Sequence, residues 1–327
     1  MNQAVACADL MYFGKLPCRG DFIRSSQHAS LLDTLDRWQS QSMERLSQDP
    51  RWKLIYDAAP AMQFAVLGNK SSVGLAGTWL ASQDASGRRF PFILSAAFDL
   101  PDPQGFVSIS PIALNRLWAK LDQNTRLAYG ASDLDLIQSS LTGTIDFDAT
   151  RASSKAGFLD FLETHSVASL EQMLAAAGNR MSVRRAILAL GLLLQPVMAQ
   201  GPAKLTKALC LPLVQDRLLR GPVAAFWLSL VAGFFSRHDM EWGIFMVVHD
   251  GQPCMVLSFQ GACASAMNAV MDPAVLRSSC VTVTDAEWVE ADVEADYGLR
   301  KLSNYLKDPA LSLAQALRTY EEVFLGL

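Results

Sequence analysis

Histidine is scarce in this chain of 327 residues: His28, His165, His238 and His249 are the only four, and none stands in HExxH or HxH spacing. Zinc centres are built from closely spaced ligands of that kind, so a metal site has no support. The six cysteines, Cys7, Cys18, Cys210, Cys254, Cys263 and Cys280, include no CxxC pair and no dense framework. They read as reduced, mostly buried thiols of a cytoplasmic protein. Charged residues make up only 18%, with a net charge of −4. A nucleic-acid binder needs a basic surface to neutralise phosphates, and no basic block supplies one. The N-terminus carries Asp9 early and lacks a basic stretch before an apolar core, so no secretory leader is read there. There is no GxSxG elbow, no internal repeat and no low-complexity segment.

What the chain has instead is apolar bulk. Half of its residues are hydrophobic, enough for a large core in one domain or two. The longest uncharged run, GPVAAFWLSLVAGFFS at 221–236, is shorter than the roughly 18 residues a membrane helix needs. It reads as a buried core helix, without membrane insertion.

Strand-like runs occur at 11–16, 62–67, 75–82 and 90–98, the last two joined by QDASGRR at hairpin length. A helix follows from Ser30, the expected N-cap, with Leu31, Leu35 and Trp38 on one face. Helical patterning covers 111–127, 134–141, 158–162, 169–177 and 182–198, and residues 142–157 read as a linker or mobile loop. Beyond 201 come a short strand in ALCLPLV, the buried helix, and two β-rich runs around His249-Asp250-Gly251-Gln252, a strong hairpin signal. A final helix spans roughly 311–324, with Leu313, Leu317, Tyr320 and Phe324 at helical spacing. The fold class is mixed α/β (α+β): a largely antiparallel sheet flanked by helices, sandwich-like, with a helical C-terminal extension. The divisions are an N-terminal α/β region at 1–130, a helical connection at 131–200, a second α/β half at 201–275 packed on the first, and an acidic segment with the C-terminal helix at 276–327.

The segment FGKLPCRGDFIR at 13–24 is the least ordinary. Cys18 could serve as a nucleophile with His28 as base, since Lys15 and Arg19 would favour a thiolate; an ordinary thiol is the competing reading. Arg19-Gly20-Asp21 matches a cell-adhesion string by coincidence, and Gly20 points to positive φ or close packing. GNKSS, opening at Gly68 and closing at Ser72, looks like the tail of a phosphate loop but lacks the upstream glycine, so it reads as a strand-ending turn. A small-molecule or nucleotide sensor at that turn stays an alternative. The acidic run from Asp285 to Asp296 is either a solvated face or a docking surface for a basic partner.

FGKLPCRGDFIR, followed by a helix ending in LDRW, resembles the opening of TagF (ImpM), a family of type VI secretion system-associated proteins. A second resemblance lies in MQFAVLGNKSSVGLAGTWLASQDASGRRFPFILSAAF, where Gly87-Arg88-Arg89-Phe90-Pro91 stands at the family's GR-aromatic-P loop. The clear likeness covers about the first 130 residues. Some members are fused to a protein phosphatase, whose metal-binding Asp/Gly motifs are not seen here.

The resemblance implies a non-enzymatic cytoplasmic adaptor without cofactors, a post-translational negative regulator of the secretion machine. Such proteins engage a forkhead-associated-domain scaffold, independently of or alongside threonine phosphorylation. The residues expected to form a fold signature or partner contact are Gly14, Lys15, Pro17, Arg19, Gly20 and Asp21, with Arg88, Arg89, Phe90 and Pro91 on a neighbouring loop.

Overall fold

The computed structural model describes residues 6–150 and 152–326. Residues 1–5, on which the leader-free reading partly falls, lie outside the described residues. Ten strands form a single sheet: β1 (Cys7–Gly14), β2 (Ile23–Arg24), β3 (Met62–Gly68), β4 (Val73–Leu80), β5 (Phe92–Asp99), β6 (Thr144–Asp146), β7 (Ala208–Pro212), β8 (Glu241–His249), β9 (Gln252–Ser258) and β10 (Cys280–Thr282). Their order is β10-β7-β9-β8-β3-β4-β5-β1-β2, with β6 also on β1. Among the described residues only the β10–β7 pair is parallel. The sheet is therefore largely antiparallel, as the sequence predicts. The second half joins the first edge to edge, because β3 pairs with β8 from Gln63↔Met246 to Gly68↔Glu241.

Both faces of this sheet are covered, which explains why strands such as β5 are apolar along almost their whole length. Successive strand side chains point to opposite faces. Leu10 and Tyr12 of β1 enter one core while Met11 and Phe13 enter the other; Met255 and Leu257 of β9 part from Cys254 and Val256 in the same way. Helices α1 (Ala29–Ser47) and α2 (Trp52–Ala58) cover the smaller core. Helices α3 (Pro103–Ala113), α4 (Asn115–Gly130), the single turn α5 (Gln138–Leu141), α6 (Ala152–Thr164), α7 (Val167–Ala176), α8 (Val183–Gln200) and α9 (Arg217–Ala232) lie over the larger one. Helices α10 (Ala264–Met271) and α11 (Pro273–Ser279) return to the smaller side. Helices α12 (Val289–Ala295), α13 (Tyr297–Tyr305) and α14 (Leu313–Phe324) form the extension, packed on α8 and α9.

Several local expectations change. Helix α1 starts one residue before Ser30, and its N-cap is His28, at φ 57°. The segment 142–157 is not a plain linker: it supplies β6 on β1 and the opening of α6. Only the second half of 134–141 is helical, as α5, while residues 134–137 form a bend and turn. Of the six free thiols only Cys254 and Cys280 are buried, while Cys7 is exposed. The stretch Arg217–Phe235 is helical for 19 residues and meets the length and composition of a membrane span, longer than its apolar run suggests. Its side chains from Val223 to Leu228 are nevertheless sealed in the core.

Four fully buried tryptophans anchor the layers, each contributing about 2–3 kcal/mol by burial. A buried indole needs an acceptor for its N–H. Trp79 finds Gln39 Oε1 at 2.8 Å, Trp118 the Phe64 carbonyl at 2.9 Å, Trp227 the Pro212 carbonyl at 2.9 Å and Trp242 the Asn69 Oδ1 at 2.5 Å.

Candidate functional site

Antiparallel pairing of β1 with β5 sets Gly14 opposite Phe92, so the loop leaving β1 meets the loop that enters β5. The two motifs singled out in the sequence are therefore one surface. Gly14 has φ 130°, and a Cβ on it would lie 2.0 Å from the Pro91 carbonyl oxygen. The Lys15 N–H donates to that same oxygen at 3.3 Å. Further along, Ser82 Oγ donates to the Lys15 carbonyl at 2.7 Å, and the Ala85 N–H donates to the Arg19 carbonyl at 2.8 Å. From the smaller core, the Tyr56 hydroxyl donates to the Ser82 carbonyl at 2.9 Å and accepts from the Ser82 N–H at 2.8 Å. Burial pushes that phenol well above its ordinary value.

The centre of this surface is Asp84, 2% exposed. Its Oδ1 accepts from the Ser86 N–H at 3.0 Å, the Ser86 hydroxyl at 2.7 Å and the Arg88 N–H at 3.0 Å. Its Oδ2 accepts from Lys15 Nζ at 3.0 Å and Arg88 Nε at 2.7 Å. Burial alone would raise this carboxyl, but donors from Ser86, the Arg88 backbone, Lys15 and the Arg88 side chain outweigh it and hold the group well below the carboxylate range. Sequence reading passed over Asp84 as part of a hairpin connection. The signal was present in Asp-Ala-Ser-Gly, an order that lets a carboxylate close an Asx turn on its own backbone.

Lys15 is only 6% exposed and its charge is directed inward, to Asp84 and to the Phe22 ring 4.8 Å away. That placement locks the loop and withdraws Lys15 from the outer surface. Phe22 stacks on Phe13 at 5.7 Å and meets Phe90 edge-on at 4.8 Å, yet is 45% exposed. Arg88 also donates to the Gly20 carbonyl at 2.6 Å, and Arg89 forms a two-bond pair with Asp57 at 2.7 Å each. Arg19 reaches Asp133 at 3.4 Å and Asp135 at 3.3 Å. Asp21 is exposed and accepts the Phe22 N–H at 2.8 Å, while Pro17 is half-buried. Gly20 corrects an expectation: nothing lies within 4 Å of a Cβ placed there, and it has no positive φ. Its role is to offer a carbonyl to Arg88. The outward residues are thus Arg19, Gly20, Asp21, Phe22 and Arg88, set on a buried ionic and aromatic base.

The other candidates settle differently. Cys18 is half-buried against the larger core and makes no hydrogen bond among the described residues, while His28 faces Asp9 at 3.3 Å. At the GNKSS turn, Asn69 Nδ2 donates to the carbonyls of Phe235 at 2.9 Å and His238 at 3.1 Å. With Trp242 on its Oδ1, Asn69 ties the turn after β3 to the segment that follows α9, the structural use expected of a strand-ending turn. His165, the residue after α6, places its Nδ1 3.0 Å from the Phe161 carbonyl and 3.0 Å from the Thr164 hydroxyl. Burial lowers His249. Among the described residues no three His, Cys, Asp or Glu side chains are grouped to hold a metal ion.

The acidic run is partly consumed inside the molecule. Arg184 and Arg185 of α8 both engage Glu290, Arg185 Nε at 2.8 Å, and Arg185 also reaches Glu287 at 3.1 Å. Asp296 caps α13 by accepting the Leu299 N–H at 2.8 Å. Asp285, Asp292 and Glu294 stay exposed.

Residues 11–143 match the TagF N-terminal domain, described as type VI secretion system-associated. No curated protein matches the sequence. Among solved structures, the crystal structure of PA0076 from Pseudomonas aeruginosa PAO1 is similar at 20% identity and a TM-score of 0.33, over 40% of this chain and 60% of that one. The matched segment begins in β1, runs through β5 and α5, and contains the whole Asp84-centred surface. The chain therefore carries, at residues 11–143, a TagF N-terminal domain of the type VI secretion-associated kind.

Proposed function

We propose that this chain is a cytoplasmic, non-enzymatic adaptor that restrains type VI secretion by binding a forkhead-associated-domain scaffold. The observation that carries this reading is the TagF N-terminal domain at 11–143. Its marked loops are built to present a surface, since Asp84 has both oxygens occupied by internal donors. A rigid patch binds with little ordering entropy, and exposed arginines beside an aromatic ring are typical anchors of interfaces. Restraint by sequestration would follow the ratio of adaptor concentration to dissociation constant.

The test is calorimetric titration of the full chain against a forkhead-associated-domain scaffold of a type VI secretion system, alongside an Arg19→Ala, Asp21→Ala double variant of verified fold. Saturable binding lost in the variant places the contact on this surface. Binding kept in the variant moves the contact elsewhere on the adaptor, and no binding at micromolar concentrations rejects the scaffold as partner.

A further inference from the structure

We propose that the cleft over the β3–β8 seam is a binding site for a small organic oxyanion, a phosphate or carboxylate group carried on an apolar body. The cleft has a volume of about 350 Å³, at the small-ligand end of protein pockets. The two halves of the chain contribute to it jointly. Gln63 of β3 and Arg126 of α4 come from the family-matched half, and Arg217 and Arg220 of α9 from the second. Met246 and Val248 of β8, with Pro253 beside them, supply the apolar wall.

The charges there are unbalanced. Three guanidinium groups line the cleft against a single carboxylate, Asp122, which is held by Arg126 at 3.0 Å. Arg217 and Arg220 stand three apart on one helix and so share a face. Arg220 is held by neutral oxygens only: the carbonyls of Val214 at 3.1 Å and Gln215 at 3.2 Å, and Gln215 Oε1 at 3.4 Å. Burial, then the charge of Arg217, lowers its pKa, with Asp216 opposing. The Asp216 carboxylate also caps α9, accepting the Leu218 N–H at 2.9 Å. Arg217 makes no hydrogen bond or ion pair among the described residues.

Neutral acceptors satisfy the N–H geometry of a guanidinium but leave its charge uncompensated. In a chain of net charge −4, this local excess of cations beside an apolar wall selects an anion with a hydrophobic side. An oxyanion between Arg217 and Arg220 would replace repulsion with charge-assisted hydrogen bonds. Its apolar portion would rest on Met246 and Val248. Because the cleft straddles the seam, occupancy would also tighten the joint between the halves.

The experiment is calorimetric titration of the full-length protein at fixed ionic strength with phenyl phosphate, phenylacetate, inorganic phosphate and phenol. Saturable binding of phenyl phosphate or phenylacetate is expected, the stronger of the two identifying the headgroup. Inorganic phosphate and phenol should each bind about tenfold more weakly or worse. The exposed Arg217→Ala change should leave the fold intact and weaken the aromatic anion by about tenfold or more. Failure of both aromatic anions to saturate by about 10 mM overturns the proposal, being weaker than any useful charge-assisted site. Undiminished affinity in the Arg217→Ala variant also overturns it.

Discussion

Gly14 and Pro91 approach so closely that the α-carbon of the first has no room for a side chain on the side of the second: a Cβ would sit 2.0 Å from the Pro91 carbonyl oxygen. The contact welds the FGK and RRFP motifs into one surface, although 72 residues lie between them in the chain.

Replacing Gly14 should therefore be severe. Gly14→Ala is expected to destabilise by about 2–5 kcal/mol, through overpacking together with a φ of 130° that side chains avoid. Gly20→Ala, with open space around it, should stay within about 0.5 kcal/mol. Urea unfolding midpoints of the two variants check this, and equal midpoints would refute the steric assignment.

Tyr56 and Ser82 exchange two hydrogen bonds through one hydroxyl. Tyr56→Phe retains the ring but strands the buried Ser82 N–H, so a loss of about 1–3 kcal/mol is expected. Equilibrium denaturation measures it, and an unchanged midpoint would mean that water or another group takes over the hydroxyl's place.

Acid sensitivity should trace to Asp84 and Glu290, whose carboxyls are both lowered in the folded state. A depressed folded pKa means that the unfolded chain binds more protons in the acid range. The stabilisation is thus fully present above the ordinary carboxylate value near 4 and is lost as pH falls below it through the folded pKa. Asp84→Asn should lower stability at pH 7 while flattening its decline from about pH 4 down to about pH 2. Denaturant midpoints across that range test the slope; a variant with the parental slope would remove Asp84 from the acid response.

The C-terminal helix is held by shape as well as apolar burial. A Cβ on Gly191 of α8 would lie 2.3 Å from the Phe324 ring, and the Tyr320 hydroxyl donates to the Leu230 carbonyl at 2.9 Å. Gly191→Ala should destabilise by about 1–3 kcal/mol and speed amide exchange in α14. In combination with Phe324→Ala the two losses should be less than additive, because the second change removes the atoms the first one strikes. Strict additivity in a double-mutant cycle would show that they do not meet.

Local signals in the sequence reached surprisingly different depths. The turn between β8 and β9 was legible because two adjacent residues carry it, with Asp250 at φ 50° and Gly251 at φ 79°. The start of α1 was not, since Ser30 is a better cap by composition than His28, which the chain path holds at φ 57°. Strand β6 escaped because three residues carry too little periodicity, and its place on β1 is set by pairing with Cys7 to Asp9. Among the site residues, the marked loops were visible from their glycines, prolines and arginines, but their centre, Asp84, was not.

The sequence alone determined the apolar strand and helix runs, the antiparallel class, the final helix and the two motifs that resemble TagF. All of these depend on residues close together in the chain, where periodicity and turn chemistry act. Tertiary structure decided which strands became neighbours, joining the halves through β3 and β8. It also decided that Lys15 turns inward to Asp84 and that Glu287 and Glu290 clamp α8 instead of lying free. Those choices depend on which charges and carbonyls meet after the chain has closed on itself, and a linear pattern carries no record of distance across a sheet.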